Sequence, residues 1–337
     1  MPSREPPITA SIVVVNHNGR HWLERCLPAA IAQLTSDDEL IVVDNGSTDD
    51  SLDFVARAFP AVRVLALPNN EGFAGGNNVG ARAARGRYIA FLNNDASPCG
   101  GWLASLKAVV ERDPSVGLVA SRIVFMNDPS VVDSAGDGLA RWGGAFKRAH
   151  GCSIEEGAQA TEVFGACGAA CLVRRDAFLE VGGFDDAFFA VYEDVDLSYR
   201  LQLREVRCIY APDAVVHHAG SATLGMLSAR SVFWGQRNME WMYFKNTPWP
   251  LLVLTLPGHF LYDLAAALHF ARLRLFRTFV AAKWSAVREL PRVLRQRREV
   301  QDGRRSTSLR LWRLMERRWI TTKLREKRFD VKLAGGR

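Results

Sequence analysis

The sequence contains no Cys-x-x-Cys pair: its six cysteines, at positions 26, 99, 152, 167, 171 and 208, stand apart, and no disulfide framework is implied. The opening residues, MPSREPP, carry no apolar signal core. Together these point to a reduced protein facing the cytosol. Internal repeats are also absent. So is a GxGxxG fingerprint, because the stretch NNEGFAGGNNVG has its glycines at 72, 75, 76 and 80 and follows the third strand-like run rather than the first. A dinucleotide-binding dehydrogenase is therefore disfavoured. What is present is 337 residues, 48% apolar and 23% charged, which excludes disorder over the whole length and collagen-like sequence. That length suits one large domain with an appendage, or two domains.

Charge is divided unevenly. Residues 271–337 hold 21 basic against 6 acidic side chains, a segment charge of +15, while the remainder carries −8. A mildly acidic body thus adjoins a strongly basic end, which suits an anionic surface, either phospholipid or nucleic acid.

Residues 11–16 (SIVVVN), 40–44 (LIVVD), 62–67 and 88–93 (YIAFLN) are short β-branched or aromatic runs, each separated by enough chain for a helix. The alternation predicts an α/β fold with a mostly parallel sheet, buried on both faces, whose ligands bind beyond the carboxyl ends of the strands. The polar residues fall there: Asn16, His17 and Asn18 after the first run, Asp44 to Asp49 with Ser47 after the second, Asn69 to Gly72 after the third, and Asn94-Asp95 after the fourth. Residues 126–165 read as a long Gly-rich loop over the crevice. Residues 166–173 and 208–210 read as further strands, and 195–204 as a helix. The body is expected to close near Leu224. Residues 234–244 and 249–270 are rich in Trp, Phe and Leu.

Several residues can carry chemistry. Asp95 is a lone carboxylate on a turn, sufficient for Mg²⁺ or Mn²⁺ if a nucleotide diphosphate supplies the other oxygens; the alternative is an Asx-turn or a helix cap. Glu193, Asp194 and Asp196 place three carboxylates within four residues at a helix start, either as caps or with Asp194 as a general base. His217 and His218 follow a strand and offer a metal ligand or ordinary packing. The glycines at 75 and 76 shape a ligand loop or let a helix pack closely.

Taken in order, SIVVVNHNG, VVDNGSTDDS, NNEGFAGGNNVG, FLNNDA, GGFDDAFFAVYEDVDLSYR and APDAVVHHAGSAT resemble family 2 glycosyltransferases, and in particular the rhamnosyltransferase-like branch that builds bacterial surface polysaccharide. The resemblance runs from Ile8 to Thr223. It implies a GT-A fold, with residues 8–125 binding a nucleotide sugar and 126–224 an acceptor. It also implies that Asn16, His17, Asn18, Ser47, Asn77 and Asn94 lie along the nucleotide and that Asp44 bonds a pyrimidine, from UDP or dTDP. By the same resemblance Asp95 and His217 hold the divalent metal and Asp194 is the base of an inverting transfer, with Glu193, Asp196 and His218 supporting the acceptor side. Three positions depart from the family pattern. His17 stands where Tyr is usual, Asn93-Asn94-Asp95 replaces DxD, and Glu205 stands where Gly is usual.

Residues 249–270 are long enough for a bilayer core, but Pro257-Gly258 is expected to interrupt them and Asp263 lies among them. An interfacial or re-entrant attachment is expected, with residues 225–300 associating with the inner face of the membrane and Trp234, Trp241, Tyr243 and Trp249 at headgroup level. Residues 301–337 then form a basic tail. This fits a lipid-linked or polysaccharide acceptor. Alternatives are a helical pair packed on the body or within a homo-oligomer, a nucleic-acid-binding protein using residues 292–318, and a pseudoenzyme that binds a nucleotide sugar without turning it over. For nucleic acid the tail has the charge but no recognisable motif.

Overall fold

The computed structural model describes residues 8–220, 228–317 and 329; the expected boundary at Leu224 and most of the basic end beyond 317 lie outside them. The chain opens with β1 (Ala10–Asn16), α1 (Arg20–Ile31), β2 (Asp38–Asn45), α2 (Ser51–Ala58), β3 (Arg63–Leu67), α3 (Gly72–Ala83) and β4 (Tyr88–Asn93). Next come β5 (Ala96–Pro98), α4 (Trp102–Arg112), β6 (Val116–Phe125), β7 (Asp128–Ser134), β8 (Asp137–Leu139), β9 (Ala145–Lys147) and β10 (Thr161–Val163). The body ends with β11 (Ala170–Arg174), α5 (Arg175–Glu180), α6 (Glu193–Leu203) and β12 (Arg207–His218). Five helices follow: α7 (Ala229–Asn246), α8 (Trp249–Arg272), α9 (Phe276–Arg288), α10 (Leu290–Asp302) and α11 (Ser308–Leu314).

The main sheet runs β10-β12-β6-β11-β4-β1-β2-β3, with β5 on β12 and β7 on β6. β1, β2, β3 and β4 are mutually parallel, as the alternating pattern predicted, and the strand order reverses between β1 and β4. That switch point opens the crevice. Alternate residues of the strands face opposite ways. Ile12, Val14, Leu40, Val42 and Leu92 pack on one side with Leu23 and Leu27 of α1 and Trp102 and Leu106 of α4. Val13, Ile41, Val43, Ile89 and Phe91 pack on the other with α3, Phe178 and Leu201. The glycines of α3 serve this second face. A Cβ on Gly76 or Gly80 would stand 2.7 Å or 2.3 Å from the Cγ1 of Val15 or Val13.

The expected long loop over 126–165 is instead structured. It contains β7, the β8–β9 hairpin, a 3₁₀ turn at Ile154–Gly157 and β10. These strands are short, and with polar residues between them their apolar period is too brief to stand out in the sequence, yet Val132, Leu139, Trp142 and Val163 are buried. β12 is far longer than residues 208–210. It carries a register shift between Ala211 and Val215, where Pro212 has no N–H for the ladder.

The C-terminal helices are built onto the body. Trp241, Met242, Leu251, Ala286, Val293 and Leu311 share one cluster with Leu139, Phe188, Val195 and Tyr199. Trp241 and Tyr243 therefore lie in protein core, not at headgroup level. α8 runs unbroken through Pro257, which lies on its outward face while α7 and α9 hold the other, so packing overrides the missing hydrogen bond.

Glu205 has φ 65°, in the left-handed region, one residue past the cap of α6. This is the position where glycine ends a helix without Cβ strain. Glu205 is exposed, so Glu205→Gly is expected to stabilise the protein by about 1 kcal/mol. Thermal unfolding of the two chains checks this; an unchanged or lower melting temperature would contradict it.

Candidate active site

The first two strand ends are knitted together by side chains. Asn18 Oδ1 accepts from the N–H of Thr48 at 2.7 Å, and Ser47 Oγ accepts from the N–H of Asn18 at 3.0 Å and from Asn16 Nδ2 at 3.3 Å. His17 Nδ1 lies 2.9 Å from the Asn45 carbonyl. Across the switch point, Asn94 Nδ2 donates to Asn16 Oδ1 at 2.8 Å, which joins the β4 end to the β1 end. Asp44 is buried beneath this lattice. Its Oδ2 accepts from the N–H of Ser47 at 3.1 Å, whereas its Oδ1 has no hydrogen-bond partner. Asn77 is buried too, but donates within α3 to the Phe73 carbonyl at 3.0 Å. Its neighbour Asn78 makes the tertiary contacts, to the Phe184 carbonyl at 2.8 Å and Asp186 Oδ1 at 2.6 Å.

Asp95 neither caps α4, whose cap is Gly101, nor faces solvent; it is buried at the head of β5. β5 pairs with the last residues of β12, and His218 lies opposite Ala96. His218 Nε2 consequently stands 3.3 Å from Asp95 Oδ1, and Nδ1 stands 3.0 Å from Asp133 Oδ2. The Asp95 contact falls short of hydrogen-bond geometry, so Asp95 Oδ1 is buried without a hydrogen bond. His217 points the other way, with Nε2 3.7 Å from Cys99 Sγ. The histidine brought to Asp95 is thus His218, not the expected His217, because successive strand residues alternate faces and the bulge in β12 sets the phase.

Asp133, on β7, was not singled out by the sequence, since it lies in the stretch read as loop. It is buried, and receives Lys147 Nζ at 2.7 Å as well as His218. Burial would push its carboxyl up, but Lys147, His150 and His218 outweigh that and hold it well below the usual range. Burial likewise lowers the His218 imidazole, and the two flanking aspartates overcome it and raise it to about 9.

The carboxylate trio divides by role. Asp196 is fully buried and pairs with Arg200 at 2.8 Å, Lys245 Nζ at 2.8 Å and Asn246 Nδ2 at 2.8 Å. It secures α6 to α7 and does not face the crevice. Glu193 is buried with Oε2 unpartnered. Asp194 is only partly buried; its Oδ2 accepts from the Gly168 N–H at 2.9 Å and its Oδ1 from its neighbour Val195 at 2.8 Å. Burial raises both carboxyls, Glu193 further because the Asp194 charge lies beside it, while backbone N–H groups offset part of the rise at Asp194.

Gly168, also missed in the sequence, connects the two ends. The Asn93 N–H donates to the Ala169 carbonyl at 2.9 Å, one residue from the amide that holds Asp194. Antiparallel β11 beside β4 thereby brings Asp194 to the strand end that carries Asp95. A Cβ on Gly168 would stand 2.9 Å from the Phe73 ring.

The turn leading into α6 is strained: Phe189, Val191 and Tyr192 have φ of 65°, 70° and 74°. For a β-branched residue such as Val191 that is costly and needs support from its surroundings. Asn238 of α7 supplies it, with Nδ2 within 3.0, 2.9 and 2.7 Å of the carbonyls of Phe188, Ala190 and Val191.

The family model for glycosyl transferase family 2 matches residues 11–182. The chain belongs to this family. Among its relatives is a pre-mycofactocin glycosyltransferase of Mycobacterium tuberculosis, 36% identical over 204 residues, which cover 58% of this chain and 40% of the relative. The chain thus spans about two fifths of that relative's length. An N-acetylglucosaminyl-diphospho-decaprenol L-rhamnosyltransferase of the same organism is 29% identical over 244 residues, 63% of this chain and 76% of the relative. Among solved structures, GalNAc-T7 with UDP, GalNAc and Mn²⁺ superposes with a TM-score of 0.58 at 17% identity, over 72% of this chain and 48% of that one. A mannosyltransferase from Pyrobaculum calidifontis with GDP-Man and Mn²⁺ gives 0.51 at 20% identity, over 96% and 88%. The family 2 chain has the GT-A fold that the motifs implied.

Removing the Asn238 amide leaves buried carbonyls unpaired beside a strained turn. Asn238→Ala is expected to cost about 2–3 kcal/mol in urea unfolding and to impair transfer more than nucleotide binding. A variant as stable as the parent would show that the turn is held by other contacts.

Proposed function

We propose that the chain is an inverting glycosyltransferase. It moves a sugar, rhamnose or a similar hexose, from a UDP or dTDP donor to a hydroxyl of a lipid-linked or polysaccharide acceptor at the inner face of the cell membrane. One observation carries this reading. Two buried carboxylate oxygens without hydrogen bonds, Asp44 Oδ1 and Asp95 Oδ1, stand at the ends of β2 and β4, the two strands that flank β1 at one edge of the sheet, and Asp194 is tied to that edge through Gly168. Asp44 Oδ1 suits the N3–H of uracil or thymine, which is the donor a pyrimidine offers to an acid. The lipid-linked acceptor and the rhamnose draw on the relative whose name carries a diphospho-decaprenol and an L-rhamnosyl group.

Asp95 fits Mg²⁺ or Mn²⁺ through a hard carboxylate oxygen that accepts no hydrogen bond, and His218, 3.3 Å from it and kept protonated by Asp95 and Asp133, would join as a ligand by giving up its Nε2 proton, with Asp133 behind the ring to orient it. Such an ion, when bound, neutralises charge on a leaving diphosphate. The protein's own step is proton removal. Asp194 accepts the proton of the acceptor hydroxyl as the oxygen attacks the anomeric carbon; the bond from that carbon to the diphosphate oxygen breaks on the opposite face, and its electron pair leaves with the nucleotide. Asp194 works only when deprotonated, so with its pKa raised the rate falls with acidification at a pH above that of an ordinary aspartate.

Asp194→Asn is expected to reduce transfer by about 10²-fold or more while nucleotide affinity stays within about 2-fold. Near-parental turnover would refute the base assignment. Titration calorimetry of UDP and dTDP with Mn²⁺ is expected to show one of them binding, and Asp95→Ala weakening it. Asp133→Asn should lower Mn²⁺ affinity about 10-fold, read by metal titration without substrate. Equal affinities in all three proteins would place the ion elsewhere.

A further inference from the structure

α8 is the one helix among the described residues long and apolar enough to cross a bilayer. Its outward face is a stripe of Trp249, Val253, Phe260, Leu264 and Leu268, with Phe260 69% exposed. These positions recur at helical spacing over five turns. α9 packs on α8 through Phe270 and Phe279, whose rings stack at 5.9 Å, and it presents a second stripe of Phe276, Val280, Trp284 and Val287, with Trp284 70% exposed. So large an exposed apolar surface marks an interaction site rather than ordinary surface.

The inward face of α8 carries its polar groups. His259 Nε2 lies 3.0 Å from Glu240 of α7 and its Nδ1 2.7 Å from the Trp142 carbonyl in the β8–β9 connection. Lys283 of α9 bonds to Asp263 at 2.6 Å and also to Glu240. Although Glu240, His259 and Asp263 come close enough to suggest a metal cluster, the Lys283 ammonium already supplies the cation and both His259 nitrogens are engaged. The cluster is a clamp. If α8 crossed a membrane alone, these paired charges would enter hydrocarbon without their partners, which is strongly unfavourable.

We propose that α8 and α9 together form an in-plane platform that seats the chain on an anionic bilayer surface without crossing it. The occupant is argued from charge. Between residues 249 and 288 the exposed ionic groups are Arg272, Arg274, Arg277 and Arg288, and the sole acid, Asp263, is neutralised by Lys283. Apolar stripes with tryptophan on each and a wholly cationic rim match acyl chains beneath acidic headgroups. A protein partner would instead be expected to find several hydrogen-bonding groups along the stripe, and the α8 stripe offers the Trp249 indole N–H at one end and aliphatic or phenyl groups for the rest. The inference deepens the reading of a lipid-linked acceptor and rests on it for its purpose. The platform also meets the site: Trp142 stacks on Tyr262 of α8 at 3.8 Å, and α7 bears the Asn238 that supports the turn before Asp194.

The test is flotation of the full chain with vesicles of phosphatidylcholine and phosphatidylglycerol, against phosphatidylcholine alone. The parent is expected to float with the anionic vesicles, and the double variant Phe260→Glu, Trp284→Glu to float at least 10-fold less, with UDP or dTDP binding unchanged. Leu264→Ser gives a milder second variant that should fall between them. Trypsin added to floated vesicles should cut after Arg295 and Arg298, which are exposed on α10 beyond the platform, since an in-plane α8 leaves them outside. A parent that does not float, variants that float like the parent, or a protected C-terminal fragment would each overturn the proposal. So would a double variant that turns a dimer into a monomer in light scattering, because a second copy would then be the occupant. Nucleotide binding is read separately, so failure of the platform leaves the transferase reading testable on its own.

Discussion

The buried carboxylate of Asp196 is the constraint on which the arrangement depends. A charge removed from water must be paired on every side, and here Arg200 of its own helix, Lys245 and Asn246 of α7 do so. Lys245 in turn reaches Asp185 at 2.7 Å, just before the strained turn. This one knot binds α6 to α7, sets the N-terminal turn of α6, and thereby positions Asp194 two residues earlier. It also explains why the helices after residue 228 belong to the same folded unit as the sheet.

The crevice is assembled by a second economy of placement. Parallel strands deliver Asp44 and Asp95 to one edge because their side chains lie at the carboxyl ends, and antiparallel β11 inserts Gly168 beside them. The glycine allows the Asp194 carboxylate to sit against a backbone amide. Behind Asp95, His218, Asp133 and Lys147 alternate in sign, so an acid at the site stands on a chain of compensating charges rather than in bare apolar core.

The arginines of residues 292–310 are divided between protein contacts and open surface, with Arg295, Arg298, Arg304 and Arg305 exposed. Arg297 donates to the carbonyls of Phe244 and Thr247, Arg305 to Glu180, and Arg310 to Gln202 and Glu162. The exposed Arg272, Arg274, Arg277 and Arg288 border the apolar stripes of α8 and α9, and that pairing of positive charge with apolar surface favours a lipid surface over a nucleic acid.

The sequence by itself determined the four parallel strands and the acids at their ends, because apolar runs that must be buried on both faces and polar residues at strand termini are local patterns. It also marked residue 205 as unusual, and the positive φ there supplies the reason. Only the tertiary structure decided which histidine meets Asp95, since a bulge at Pro212 reverses the facing of everything after it. Only it showed that residues 126–165 form strands carrying Asp133 and Lys147, that Trp241 and Tyr243 are core, and that α8 passes through Pro257 unbroken. Each of these depends on register or on packing between distant segments, and neither quantity exists until the chain has closed on itself.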